Sequence, residues 1–185
     1  MVAAAGRQPT PADDSEIPGD PEQSLGDPES VARAICLRLL TQRARSRAEL
    51  AEALARRDVP EPAARHVLDR FAEVGLIDDA ALAQGLAGAQ HRERGLARRA
   101  VVAKLRQRGL GDEVVNAAVE GIDGVSERSR AKELVERRLR SMTTLAPDVQ
   151  ARRLIGLLGR KGYSPGLAYA VVRETLGEQV DDREE

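Results

Sequence analysis

The chain is poor in aromatic residues: Phe71, Tyr163 and Tyr169 are the only ones among 185, and there is no tryptophan. That scarcity argues against an aromatic-rich sandwich or barrel core. It also argues against base stacking as the main mode of contact, because single-strand binders use aromatic platforms. Cys36 stands alone, so an internal disulfide framework is excluded and a reducing compartment fits. No apolar run approaches the roughly 18 residues that a bilayer span needs. The N-terminus has neither a basic start nor a following apolar stretch, so no secretory signal is expected and the expected location is the cytoplasm.

Catalytic signals are equally sparse. His66 and His91 are the only histidines, and no metal-ligand spacing joins them to Cys36. Gly109-Leu110-Gly111 lacks the later Gly-Lys-Ser/Thr of a phosphate loop and reads as a helix C-cap and turn. Asp78 and Asp79 precede an apolar helical pattern, where carboxylates cap a helix and favour its dipole. The sequence therefore leads us to expect no enzyme, no metal or cofactor and no small-molecule substrate.

What the chain does have is Ala, Leu and Val in quantity, 42% hydrophobic residues with 32% charged. The net charge of -1 conceals three regions: -6 over residues 1–30, +10 over 31–173 and -5 over 174–185. A basic body with acidic ends fits a polyanion or an acidic protein surface as partner, with the ends moderating non-specific binding. Only Lys104, Lys132 and Lys161 are lysines, and such arginine use also follows from genomic base composition alone. Five of the nine prolines crowd the first thirty residues. That composition cannot bury enough apolar surface to order itself. The expected organisation is a disordered acidic tail (1–30), three units (31–76, 77–124, 125–176) and an acidic C-terminal tail (177–185).

The three units are copies of one pattern. Asp58, Gly109 and Gly162, spaced 51 and 53 residues apart, anchor the alignment. Leu50 and Leu54 then match Val101 and Leu105, and Leu154 and Leu158. A base precedes each anchor (Arg57, Arg108, Lys161) and an apolar residue follows it (Val59, Leu110, Tyr163). Val31 and Ile35 match Leu82 and Leu86, and Val135 and Leu139, with the two extra residues assigned near Asp123 to Ser126. Each copy reads as three helices. In the first, Ser30 is expected to cap a helix burying Val31, Ile35 and Leu39. Ser46-Arg47-Ala48-Glu49 is a capping box. Pro60-Glu61-Pro62 opens a third helix that ends at Gly75. In the last copy Ser164-Pro165 starts a helix and Gly177 is expected to stop it. The fold class is all-α: three tandem three-helix, helix-turn-helix-like repeats in an elongated, curved body. Such a body offers a long surface rather than a deep pocket.

Arginine placement carries the functional reading. Arg43, Arg45 and Arg47 surround the first turn, Arg92, Arg94, Arg98 and Arg99 its equivalent in the second copy, and Arg152 and Arg153 open the matching helix of the third. A second set (Arg56, Arg57, Arg106, Arg108, Arg160, Lys161) closes those helices, where bases also complement the dipole. The turn set opposes the dipole, so a partner is expected to account for it. Arginine forks on phosphates or carboxylates are the contacts that this composition permits.

Arg45-Ser46-Arg47-Ala48-Glu49-Leu50, Val74-Gly75-Leu76-Ile77-Asp78-Asp79, Gly95 with Arg98 and Arg99, and Lys104-Leu105-Arg106-Gln107-Arg108-Gly109-Leu110 follow in that order. Together they resemble the bacterial RecX regulatory proteins over residues 31–176. The resemblance implies tandem three-helix repeats and a regulator that binds the RecA recombinase as its filament on single-stranded DNA. It implies restraint of ATP hydrolysis and strand exchange, and so a part in recombination, DNA repair and the SOS response. Phosphate contacts to single- or double-stranded DNA would be secondary, and an autonomous helix-turn-helix-like DNA binder is the alternative. One departure concerns positions 82 and 86. The family commonly carries aromatics after the Asp-Asp turn, and here Leu82 and Leu86 stand there.

Overall fold

The structure, a computed structural model, describes residues 26–181. The reading of residues 1–25 as a disordered tail lies outside them. Among the described residues there are helices and turns and no strand. The helices are α1 (Pro28–Leu40), α2 (Arg47–Ala55), α3 (Glu61–Glu73), α4 (Asp79–Gly88), α5 (Arg98–Gln107), α6 (Asp112–Ala118), α7 (Gly124–Leu139), α8 (Pro147–Arg160) and α9 (Pro165–Asp181). A π turn, Ala89–Glu93, prolongs α4. Helices pack in threes, each triplet around its own apolar cluster.

The second helix of each unit supplies the centre of its cluster. Leu54, Leu105 and Leu158 are buried to 1% exposure or less, as are Leu50, Val101 and Leu154. The capping box forms as expected: Ser46 Oγ accepts from the Glu49 N–H, and Glu49 accepts from the Ser46 N–H. Asp78 caps α4 by accepting from the Ala81 N–H at 2.8 Å. Gly75 ends α3 in the left-handed region at φ 73.

Three expectations need correction. Asp27, not Ser30, caps α1, accepting from the N–H groups of Glu29 and Ser30, so the helix starts inside the segment assigned to the tail. The face of α1 that is buried is Ala32, Cys36 and Leu39, with Val31 exposed and Ile35 only half-buried. Packing against α3 selects the small residues, which let the helix axes approach. Thirdly, Gly177 does not stop α9, which continues to Asp181. Its φ is not left-handed, and the preceding Thr175 is buried, so the helix is held by packing up to that glycine.

Burial also redistributes the two extra residues. Fourteen positions separate Cys36 from Leu50 and Ala87 from Val101, but fifteen separate Leu139 from Leu154. One extra residue therefore lies between α7 and α8, and only the other lies between copies.

The same joint connects the first unit to the second and the second to the third. The opening of the second helix in one unit meets the closing turn of the second helix in the next. Ser46 Oγ donates to Arg108 O, and at the equivalent place the Ala97 N–H donates to Lys161 O at 3.0 Å. Gly109 (φ 71) faces Ala48, and Gly162 (φ 92) faces Ala100. A Cβ on either glycine would fall 2.4 or 2.7 Å from the alanine Cβ. A carboxylate from the next unit then accepts from the first helical N–H: Asp79 from Arg47 at 2.9 Å, Glu127 from Arg98 at 2.8 Å. Asp58 adopts the same left-handed turn at φ 56. It is the turn of the first unit, and no other unit among the described residues is seated against it.

Candidate partner-binding surface

The joints decide which arginines are free. In the first unit they are engaged. Arg43 pairs with Glu49 at 3.0 Å, and Arg45 Nε donates to Leu39 O. Arg47 pairs with Asp69 at 2.6 Å. Glu49 also receives Arg108 from the second unit, with Nε 2.7 Å from Oε1. Burial acts to raise the Glu49 carboxyl, but donors from Arg108, Arg43 and the Ser46 N–H outweigh it and hold it down at about 2. Arg47 is thus accounted for within the molecule. Its helix N-terminus is not hostile to a cation, because Asp79 and the carbonyl end of α5 already meet it.

In the second unit Arg98 and Arg99 are exposed, and neither guanidinium has a partner among the described residues. Arg94 is exposed too, and its carbonyl accepts from Lys161 Nζ across the joint. Arg92 turns elsewhere, lying against Gly88, where an added Cβ would meet its guanidinium.

Cations without a carboxylate partner among the described residues gather on the third unit and its joint with the second. Arg94, Arg137, Arg138 and Lys161 line one shallow groove with Glu93, Leu134, Ser141 and Leu157. Arg138, Arg152, Arg153 and Arg160 line the next, which shares Arg138 and Leu157 with the first. Glu93 is the only acid along the two. The surplus of positive charge is felt at Lys161, whose ammonium is pushed below the ordinary lysine value by burial first, then by Arg137 and Arg130.

Of the sequence-predicted set, the structure puts Arg94 on one groove and Arg152 and Arg153 on the adjoining one, leaves Arg98 and Arg99 exposed on α5, and ties down Arg43, Arg45 and Arg47. Sequence reasoning missed Arg137 and Arg138. They occupy the last turn of α7, where bases complement the helix dipole. Only the packing of α7 beside α8 sets Arg138 next to Arg152.

Comparison with known proteins agrees with this architecture unit by unit. Three family models match, described as the RecX first, second and third three-helix domains, over residues 32–71, 78–119 and 126–172. The "Regulatory protein RecX" of Thermobifida fusca is 51% identical over 153 residues, 81% of this chain and 83% of that protein. The protein of the same name from Streptomyces coelicolor is 50% identical over 158 residues, 85% of this chain and 84% of that one. That of Mycobacterium avium is 45% identical over 166 residues, covering 88% of this chain and 96% of its own. The crystal structure of RecX from Lactobacillus salivarius superposes with a TM-score of 0.70 at 16% identity, covering 80% of this chain and 96% of that one, and so shares the fold. Three matched units in order, together with close relatives along most of the length, place this chain in the RecX family of regulatory proteins.

Proposed function

We propose that this chain restrains a RecA-type recombinase by binding its filament on single-stranded DNA, in the cytoplasm, and so moderates recombination, repair and the SOS response. It acts by occupancy, as a binding regulator without chemistry of its own. The observation that carries this reading is the run of unpaired cations from Arg94 through Arg137 and Arg138 to Arg152, Arg153 and Arg160. A filament groove presents carboxylates and phosphates, and guanidinium forks suit both. Arg98 and Arg99, exposed on the same unit as Arg94, extend the candidate surface.

The test is ATP hydrolysis by recombinase on single-stranded DNA, titrated with wild type and with two charge reversals, Arg152→Glu/Arg153→Glu and Arg98→Glu/Arg99→Glu. These side chains are exposed, so folding should change by no more than about 0.5 kcal/mol. An interfacial ion pair is worth about 2–5 kcal/mol when broken, so inhibition should fall at least tenfold. Undiminished inhibition by both folded variants would remove the surface from the interface. Strong, steeply salt-dependent binding to free DNA with no effect on the recombinase would instead favour an autonomous DNA binder.

A further inference from the structure

A second cleft lies between the second and third units, and none of its lining residues belongs to the basic surface above. Its floor is apolar: Ala87 from α4, Ala118 from α6 and the buried Ile122. Its walls are polar and come from both units, with Gln84, His91 and Arg92 on one side and Ser126, Ser129 and Arg130 on the other.

Several donors there have no partner within the protein, and one of them is buried. Arg92 pairs with no carboxylate among the described residues, and its guanidinium occupies the space that Gly88 leaves by lacking a Cβ. Arg130 pairs with Glu133, but its Nε is buried and without a partner. A buried orphan donor is costly and calls for an acceptor. Ser129 and Gln84 likewise have no partner among the described residues. His91 is buried with Nδ1 2.8 Å from the Leu96 carbonyl. A carbonyl only accepts, so Nδ1 carries the proton and the ring is fixed in orientation. Glu133 is the one acid lining the cleft, and Arg130 holds it.

We infer that this cleft binds a phosphate-bearing ligand, with the phosphoryl oxygens on Arg92, Arg130 and Ser129 and the apolar part of the ligand on Ala87, Ala118 and Ile122. The charge, the orphan donor and the mixed lining all point to that chemistry. A nucleotide and a nucleic-acid strand both supply it. The site draws on both sides of the second joint, so a ligand there ties the two units together. The inference does not rest on recombinase binding, and its failure would leave the ATPase result untouched.

The experiment uses the full chain and three probes: inorganic phosphate, ADP and a short oligothymidylate. Calorimetry measures affinity, and the Nε–H resonance of Arg130 reports the site directly. The expected result is a shift of that resonance with phosphate and a tighter saturation with ADP or the oligonucleotide. Arg92→Ala should weaken binding at least tenfold. Ser129→Asp, which replaces a hydroxyl donor of the cleft with a carboxylate, should do the same if Arg92→Ala disturbs folding. Saturation by ADP identifies a free nucleotide as the source of the phosphate, and saturation by the oligonucleotide alone identifies a strand. An unmoved Arg130 resonance with all three probes at millimolar concentration overturns the inference. So does binding that survives both substitutions undiminished.

Discussion

Asp58, Gly109 and Gly162 share one backbone conformation, but only the two glycines are closed over by an alanine. Their substitutions should therefore differ from that of Gly75, which is left-handed but open. Gly75→Ala should cost about 1 kcal/mol, the strain of a Cβ in that region. Gly109→Ala and Gly162→Ala add a collision at 2.4 and 2.7 Å, and should cost clearly more in urea denaturation. Asp58→Gly should be neutral or stabilising by up to about 1 kcal/mol. Glu49 gives a pH-dependent test. Its folded carboxyl lies near 2, below the ordinary 4.5. The stability it contributes is complete above the unfolded value and is lost as pH falls from about 5 toward 2. Glu49→Gln should therefore cost about 1–3 kcal/mol at pH 7, and the gap from wild type should close across that acid window. The three anchors were legible in the sequence because spacing alone aligns them. The alanines that make two of them obligatory glycines were not, since Ala48 and Ala100 meet their partners only through the joint.

At the scale of the helix, the second element of each unit was readable, while the buried face of the first was readable in the third unit, where Val135 and Leu139 are buried, and not in the other two. Leu54, Leu105 and Leu158 stand in register and are all buried. Each to Ala should cost about 2–5 kcal/mol, a large fraction of what a three-helix unit can hold, and thermal melts would show it. In α1 the apolar arc is wide, from Val31 and Ala32 through Ile35 and Cys36 to Leu39. Hydropathy ranks valine above alanine, whereas close helix packing ranks by size, and packing wins. Val31→Ser should accordingly be nearly silent, while Ala32→Leu should be destabilising by about 1–3 kcal/mol through overpacking. The π turn at Ala89–Glu93 and the continuation of α9 past Gly177 were likewise hidden. Both depend on what the helix packs against and not on its own residues.

At the scale of the molecule, the basic body was plain from the charge arithmetic, but the surface was not. A turn-by-turn inventory treats Arg47 and Arg98 as equals. The fold pairs the guanidinium of the first with Asp69 and leaves that of the second without a partner among the described residues. Arg137 and Arg138 enter only when α7 and α8 are side by side. The second joint also carries a buried hydrogen bond, from Tyr163 Oη to Gly95 O at 3.2 Å. Tyr163→Phe keeps the ring and removes the bond, so it should cost about 1 kcal/mol. Amide exchange should quicken at Ala97 and along α5 more than in the first unit, because the loss is confined to that joint. The repetition of the joint has one further result. Where α2 meets α5, and α5 meets α8, the partial positive end of one helix lies on the partial negative end of the next, and the two cancel. At the extremities of the row side chains take that part: Arg57 Nη1 donates to Ala53 O in the last turn of α2, and Asp148 stands in the first turn of α8. With the backbone ends cancelled or capped, the bias along the row comes from side chains, and its cationic end is the groove of Arg138, Arg152, Arg153 and Arg160. An anionic groove would draw it in by the third unit first.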